Sequence, residues 1–104
     1  MKFEINGSEW EIIIVSEDKM NNEQKNDYTL GLTIYSKQEV WLLEGQSNII
    51  KTLKHELTHV WLFEYGHNAQ EKEFNHEDIC EIVASSNNFI NDVVTKFKKE
   101  YRVW

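Results

Sequence analysis

The sequence predicts a small α+β fold in which an antiparallel sheet of three or four strands packs against two helices. In the first half of the chain, apolar and polar residues alternate, which is the period of a half-buried strand. From Ser47 onwards, apolar residues recur every three or four positions, which is the period of a helix. With 104 residues and 40% apolar content the chain can form one core, so we expect a single domain over residues 1–104.

The charge, the cysteine content and the length of the apolar runs exclude several classes of protein. The formal charge is −7 and no basic patch balances it, so we expect no nucleic-acid or anionic-membrane partner. Cys80 is the single cysteine, which excludes an internal disulfide and favours a reducing compartment. The first residues lack the apolar core of a signal peptide, and no apolar run is long enough for a membrane span. These features predict a soluble, cytoplasmic protein.

The first strands are predicted by a turn signal. Asn6 and Gly7 stand between two apolar runs, so residues 3–5 and 9–15 are expected to form a hairpin. Residues 12–15 are β-branched throughout, which is typical of a strand covered on both faces.

Two further strands are expected after a polar connection. Residues 16–27 can contain a short helix capped by Ser16. The alternation at residues 30–34 predicts a half-buried strand, and a turn over 36–39 leads to a partner strand over 40–43.

Two helices complete the predicted fold. The first is capped by Ser47 and ends at Gly66, a residue type that commonly follows the last helical turn. A charged loop over 67–75 leads to a second long helix over 77–99, with Asn75 or His76 near its start. The apolar stripe of the first helix contains Ile49, Ile50, Leu53, Leu57, Val60 and Trp61. The stripe of the second contains Ile79, Ile82, Val83, Ile90, Val93 and Phe97.

The first helix carries the motif H-E-L-T-H, which begins at His55. Residues four apart lie on one face of a helix, so His55 and His59 can bind one metal ion on the face opposite the apolar stripe. Glu56 lies beside them, placed to act on a metal-activated water. This spacing is typical of zinc metalloproteases, in which the glutamate is the general base. We therefore expect Zn²⁺ bound by His55 and His59, with Glu56 as the catalytic residue.

A catalytic zinc site needs a third protein ligand and an open position. Glu77 and Glu81, one turn apart on the second helix, are candidates, and His67 and His76 are alternatives. Peptide hydrolysis also needs a hydrogen-bond donor that stabilises the oxyanion. The candidates for this donor are Tyr65, His67 and His76.

The run H-E-L-T-H-V-W-L-F-E-Y-G-H, followed by E-D-I-C-E-I-V-A, resembles the ImmA/IrrE-like metallopeptidases of phages and mobile elements. In that family a second helix has the pattern E-x-x-C-N-x-x-A, whose glutamate is the third zinc ligand. Cys80 and Ala84 match this pattern, and Glu81 stands where the family usually has Asn. The resemblance covers roughly residues 50–86 and implies zinc ligation by His55, His59 and Glu77.

The resemblance also implies a minimal zincin-like fold and a gluzincin-type metallopeptidase that hydrolyses a peptide bond in a protein or peptide substrate. Such folds bind the substrate as an added strand along a sheet edge, and residues 40–43, just before the first helix, are the expected edge. The alternative function is a non-catalytic, zinc-containing protein-binding module of phage or mobile-element origin.

Overall fold

The computed structural model describes residues 1–24, 29–66 and 73–103 and confirms the α+β class. The described elements, in chain order, are β1 (Lys2–Ile5), β2 (Ser8–Val15), α1 (Glu17–Gln24), β3 (Gly31–Ile34), β4 (Glu39–Leu43), α2 (Ile49–Glu64) and α3 (His76–Tyr101). The four described strands form one sheet in the order β1-β2-β4-β3. None of the described helices has the length and apolar content needed to cross a lipid bilayer.

Strands β1 and β2 form the predicted hairpin. Ile5 pairs with Ser8 across the turn, and φ is 51° at Asn6 and 79° at Gly7. A turn of two residues that matches the twist of the strands needs this left-handed backbone at both positions, and Asn and Gly adopt it at low cost. The predicted hairpin turn is therefore confirmed, and its two residues have the left-handed backbone conformation that such a turn needs.

The pairing of β2 with β4 is parallel, so the prediction of an antiparallel sheet was wrong at this position. Ile12 lies opposite Val40 and Ile13 opposite Trp41, whereas β3 pairs antiparallel with the other side of β4. Because α1 and β3 intervene between β2 and β4, the chain returns to the end of the sheet at which β2 began. Such a non-local pairing leaves no mark on the local alternation of apolar and polar residues.

Helices cover both faces of the sheet, with α2 and α3 on one side and α1 on the other. Ile12 and Val15 of β2 are both buried, and they belong to the two different core clusters. This confirms the prediction from the β-branched run. Met20 of α1 is fully buried, and the backbone N–H of Lys19 donates to Ser16 Oγ at 3.2 Å, which is the expected helix cap.

Helix α2 begins one residue later than predicted. Its N-cap is Asn48 rather than Ser47, because Asn48 Oδ1 accepts a hydrogen bond from the backbone N–H of Lys51 at 3.3 Å. Both residue types are good caps, so the sequence alone did not separate them. Tyr65 is the C-cap, and Gly66 follows with φ of 80°, as predicted. The buried residues of the predicted apolar stripe are Leu53, Leu57, Val60 and Trp61.

Helix α3 begins with a capping box. Asn75 Oδ1 accepts from the backbone N–H of Asp78 at 2.8 Å, and Asp78 Oδ2 accepts from the backbone N–H of Asn75 at 3.1 Å. The C-terminal half of α3 buries Val93, Val94 and Phe97. Ile79 and Val83 were expected in the core but are 49% and 59% exposed, because no described element covers the first turns of α3.

Candidate metal and catalytic site

His55 and His59 lie one turn apart on the exposed face of α2. Their ring centroids are 4.9 Å apart at an interplanar angle of 75°, and the His55 side chain is 68% exposed. Neither imidazole forms a hydrogen bond with any residue in the described parts of the chain. Two such nitrogen donors, one turn apart and open to solvent, fit the preference of Zn²⁺ for imidazole ligands.

Glu56 turns away from solvent toward β3 and is only 7% exposed. Its Oε1 accepts a hydrogen bond from Thr33 Oγ1 at 2.8 Å, and its Oε2 lies 4.0 Å from His55 Nε2. A buried carboxylate is costly unless it is hydrogen-bonded, and Thr33 supplies that bond. One oxygen is thus held by the strand, while the other is directed to the histidine side. This orientation suits a base that acts beside a metal ion.

Gly31 allows β3 to pass close to α2. A Cβ at position 31 would lie 2.6 Å from Thr52 Cγ2 and 3.0 Å from both Cγ and Oε2 of Glu56. Any other residue at this position would therefore force the Thr52 and Glu56 side chains, or the strand itself, to shift. Gly31 and Thr33 were not among the predicted site residues; both lie on the face of β3 opposite Leu32.

The strand at the edge beside the histidine face is β3, not β4. The strand order places β4 between β2 and β3, so the expected substrate edge at residues 40–43 was wrong. The parallel pairing of β2 with β4 is the reason, since it leaves the outer position to β3. Along β3 the described residues pair only with β4.

A cavity of about 700 Å³ adjoins the site, between the start of β3, the β4–α2 connection and the first turns of α2. Its lining includes Leu30, Lys51, His55 and Glu56. Gln46 fixes its wall: the side-chain amide donates to the carbonyl oxygens of Leu30 and Leu43, each at 2.9 Å. Gln46 Oε1 also accepts from Thr52 Oγ1 at 2.6 Å. One side chain therefore joins β3, β4 and α2 beside the candidate site.

The predicted third ligands remain apart from the histidine pair. Glu77 and His76 are exposed in the first turn of α3, and Glu81 is exposed and accepts from Ser85 Oγ at 3.0 Å. Across residues 1–24, 29–66 and 73–103, no three His, Cys, Asp or Glu side chains are grouped so as to hold a metal ion. His67 lies outside the described residues. Ligation by Glu77 therefore stays a prediction.

Tyr35, which follows β3 directly, was also missed by the sequence analysis. Its ring stacks on Phe63 of α2 with centroids 4.8 Å apart. Burial, and then the negative charge of Glu56, raise the pKa of Tyr35 above its ordinary value. By contrast, the ring of Tyr65, one of the predicted oxyanion donors, packs on Trp61 with centroids 5.0 Å apart. Trp61 belongs to the apolar stripe, and Tyr65, the C-cap of α2, is itself 47% exposed.

Comparisons with protein-family models, with curated proteins and with solved structures give no match to this chain.

Proposed function

We propose that the chain is a zinc-dependent peptidase of gluzincin type, with Glu56 as general base. The observation that carries the proposal is the combination on α2 of two exposed imidazoles with a buried, hydrogen-bonded carboxylate. If His55 and His59 were only surface residues, nothing would require the neighbouring Glu56 carboxylate to be buried and hydrogen-bonded to Thr33. Burying that carboxylate has a cost, and a catalytic role accounts for it.

In this proposal His55 and His59 hold the zinc ion, and Glu77 of α3 is the third ligand. Zinc, when bound, supplies Lewis acidity for the attack of water on a carbonyl. Glu56 accepts a proton from the attacking water as its oxygen bonds to the carbonyl carbon. Glu56 then donates that proton to the amide nitrogen as the carbon–nitrogen bond breaks, which gives a carboxylic acid and an amine. The base is thereby regenerated.

The proposed substrate is a protein or peptide segment in extended form. Strand β3 offers an edge beside the histidine face, and a peptide can add to such an edge through main-chain hydrogen bonds. The cavity lined by Leu30 and Lys51 adjoins His55 and Glu56, where it can receive a substrate side chain. The net charge of −7 argues against a nucleic-acid substrate. A cytoplasmic location and a phage-related origin belong to the same proposal.

The roles can be tested by measuring bound zinc and hydrolysis separately. The zinc content of each protein is measured by emission spectrometry after dialysis, and hydrolysis is followed with fluorescein-labelled casein. The Glu56→Gln variant should keep zinc and lose activity by about 10²- to 10⁴-fold, because the substitution removes only the base. The Glu77→Ala variant should lose zinc, and Glu81→Ala, which removes a carboxylate one turn away, is its matched control.

The outcomes separate the two candidate functions. A wild-type protein that binds no zinc would overturn the proposal as a whole. Loss of zinc in Glu81→Ala but not in Glu77→Ala would move the third ligand by one turn. A protein that binds zinc stoichiometrically but hydrolyses no casein, with or without Glu56→Gln, would favour the non-catalytic protein-binding module.

A further inference from the structure

Thr33 and Tyr35 contact α2 from the same side, at two positions that lie two helical turns apart. Side chains two apart in a strand point to the same face, and here that face meets the helix. Thr33 Oγ1 donates to Glu56, while the ring of Tyr35 lies against Phe63. Glu56 and Phe63 are seven residues apart, which is two helical turns, with His59 between them on the same side. Tyr35 therefore lies along the flank of α2 that carries the base and the second histidine.

Aromatic contacts hold the ring of Tyr35, and part of the residue remains exposed. Besides the stacking on Phe63, it meets the Trp10 ring edge-on with centroids 6.4 Å apart. Trp10 is itself held, because its Nε1–H donates to Glu64 Oε2 at 2.8 Å. Tyr35 is nevertheless 37% exposed, so part of the residue is accessible to a bound molecule. Aromatic contacts of this kind restrict the orientation of the ring.

The Tyr35 hydroxyl group carries its proton at neutral pH. Burial, and then the negative charge of Glu56, raise the pKa of Tyr35 above its ordinary value. The hydroxyl group can therefore donate a hydrogen bond.

We propose that the Tyr35 hydroxyl donates a hydrogen bond to the carbonyl oxygen of the scissile peptide and stabilises the negative charge that develops there. This inference rests on the proposed peptidase function. A peptide on the β3 edge lies between that strand and the histidine face, and Tyr35 stands at the end of the same strand. The hydrogen bond strengthens as the oxygen gains charge, so it favours the transition state over the bound substrate. Tyr35 takes the role for which Tyr65, His67 and His76 were candidates.

The test compares Tyr35→Phe with wild type and with Tyr101→Phe. Phenylalanine keeps the ring contacts with Phe63 and Trp10 and removes only the hydroxyl. Tyr101 is the matched control, because it also stacks on a phenylalanine but lies at the end of α3. Three quantities are measured for each protein: zinc content, kcat and KM with fluorescein-labelled casein, and the Kd for an N-phosphoryl dipeptide, a tetrahedral anion that mimics the hydrolytic transition state.

For Tyr35→Phe we expect kcat to fall by about 10²- to 10³-fold with KM and zinc content unchanged. The N-phosphoryl dipeptide should bind about 10- to 100-fold more weakly, the effect of losing a hydrogen bond to a charged group. Tyr101→Phe should match wild type in all three. Wild-type kcat and wild-type Kd in Tyr35→Phe would overturn the inference and leave the proposed peptidase standing. A wild-type protein without zinc would overturn both.

Discussion

Thr33 Oγ1 and Glu56 Oε1 lie 2.8 Å apart, and this hydrogen bond joins the edge strand to the helix that carries both histidines. The two residues are 23 positions apart in the chain. Within the described residues Thr33 is the side-chain donor to this buried carboxylate, which therefore depends on Thr33 for its stability and for the orientation of its second oxygen.

Replacing Thr33 with valine should therefore destabilise the protein and impair the site. Valine keeps the shape but removes the donor, so the Glu56 carboxylate loses its partner in a buried position. We expect the free energy of unfolding to fall by about 1–3 kcal/mol, measured by urea denaturation. Thr95→Val is the control, since Thr95 is exposed and its hydroxyl donates only to a carbonyl of its own helix. Equal effects of the two substitutions would contradict this account.

Gly31→Ala tests the close approach of β3 to α2. The added methyl would lie 2.6 Å from Thr52 Cγ2, so the Thr52 side chain or the strand must shift, at a cost of about 1–3 kcal/mol in unfolding free energy. Thr52→Ser removes that Cγ2 and keeps the hydroxyl that donates to Gln46. The double variant should recover part of the loss, and a double-mutant cycle measures the coupling. Strict additivity of the two substitutions would show that the two positions do not press on each other.

Glu64 fixes the end of α2 to the first hairpin. Its carboxylate accepts from Trp10 Nε1 at 2.8 Å and from Ser8 Oγ at 3.3 Å. Glu64→Ala leaves the indole N–H of a buried tryptophan without its partner, which should cost about 1–3 kcal/mol of unfolding free energy. Tryptophan fluorescence during denaturation reports the change, and Glu44→Ala, an exposed glutamate, is the control. A loss confined to the control would refute the role of Glu64.

The raised pKa of Tyr35 predicts a dependence of stability on alkaline pH. Because the folded-state pKa lies above the unfolded value of about 10, the contribution of Tyr35 is fully present below that value. It is lost as the pH rises through the folded-state pKa. Tyr35→Phe should therefore lose less stability than wild type between pH 9 and the alkaline limit of folding. Absorbance titration at about 295 nm should show one late-ionising tyrosine fewer in the variant. Identical titration curves would contradict the prediction.

Local signals in the sequence predicted the local structure well. Asn6 and Gly7 form the expected turn, Gly66 follows the end of α2, and Asn75 caps α3. Each of these depends on a few neighbouring residues whose backbone preferences are strong. His55 and His59 also share a helix face, as their spacing requires.

Features that depend on distant pairing were not predictable in the same way. The parallel register of β2 with β4 joins segments with α1 and β3 between them, and it decides that β3 is the edge. The alternation of polar and apolar residues would place Gly31, Thr33 and Tyr35 on the solvent face of the strand. In the structure, that face packs against α2. The alternation already placed these residues on one face of the strand, and that was the local signal that could have pointed to them. Nothing local in α3 indicated that Ile79 and Val83 would stay uncovered.

The shortness of β3 limits what its edge can hold. The backbone N–H of Leu43 donates to the carbonyl of Leu30, which lies just before the strand. Since main-chain groups alternate in direction along a strand, those of Gly31 and Thr33 point away from the sheet. A peptide on this edge can form main-chain hydrogen bonds with only these two residues. So few bonds do not offset the cost of unfolding a segment of a folded protein. Under the proposed function we therefore expect the protein to act on chains that are already locally unfolded, with selectivity set by side chains rather than by backbone pairing.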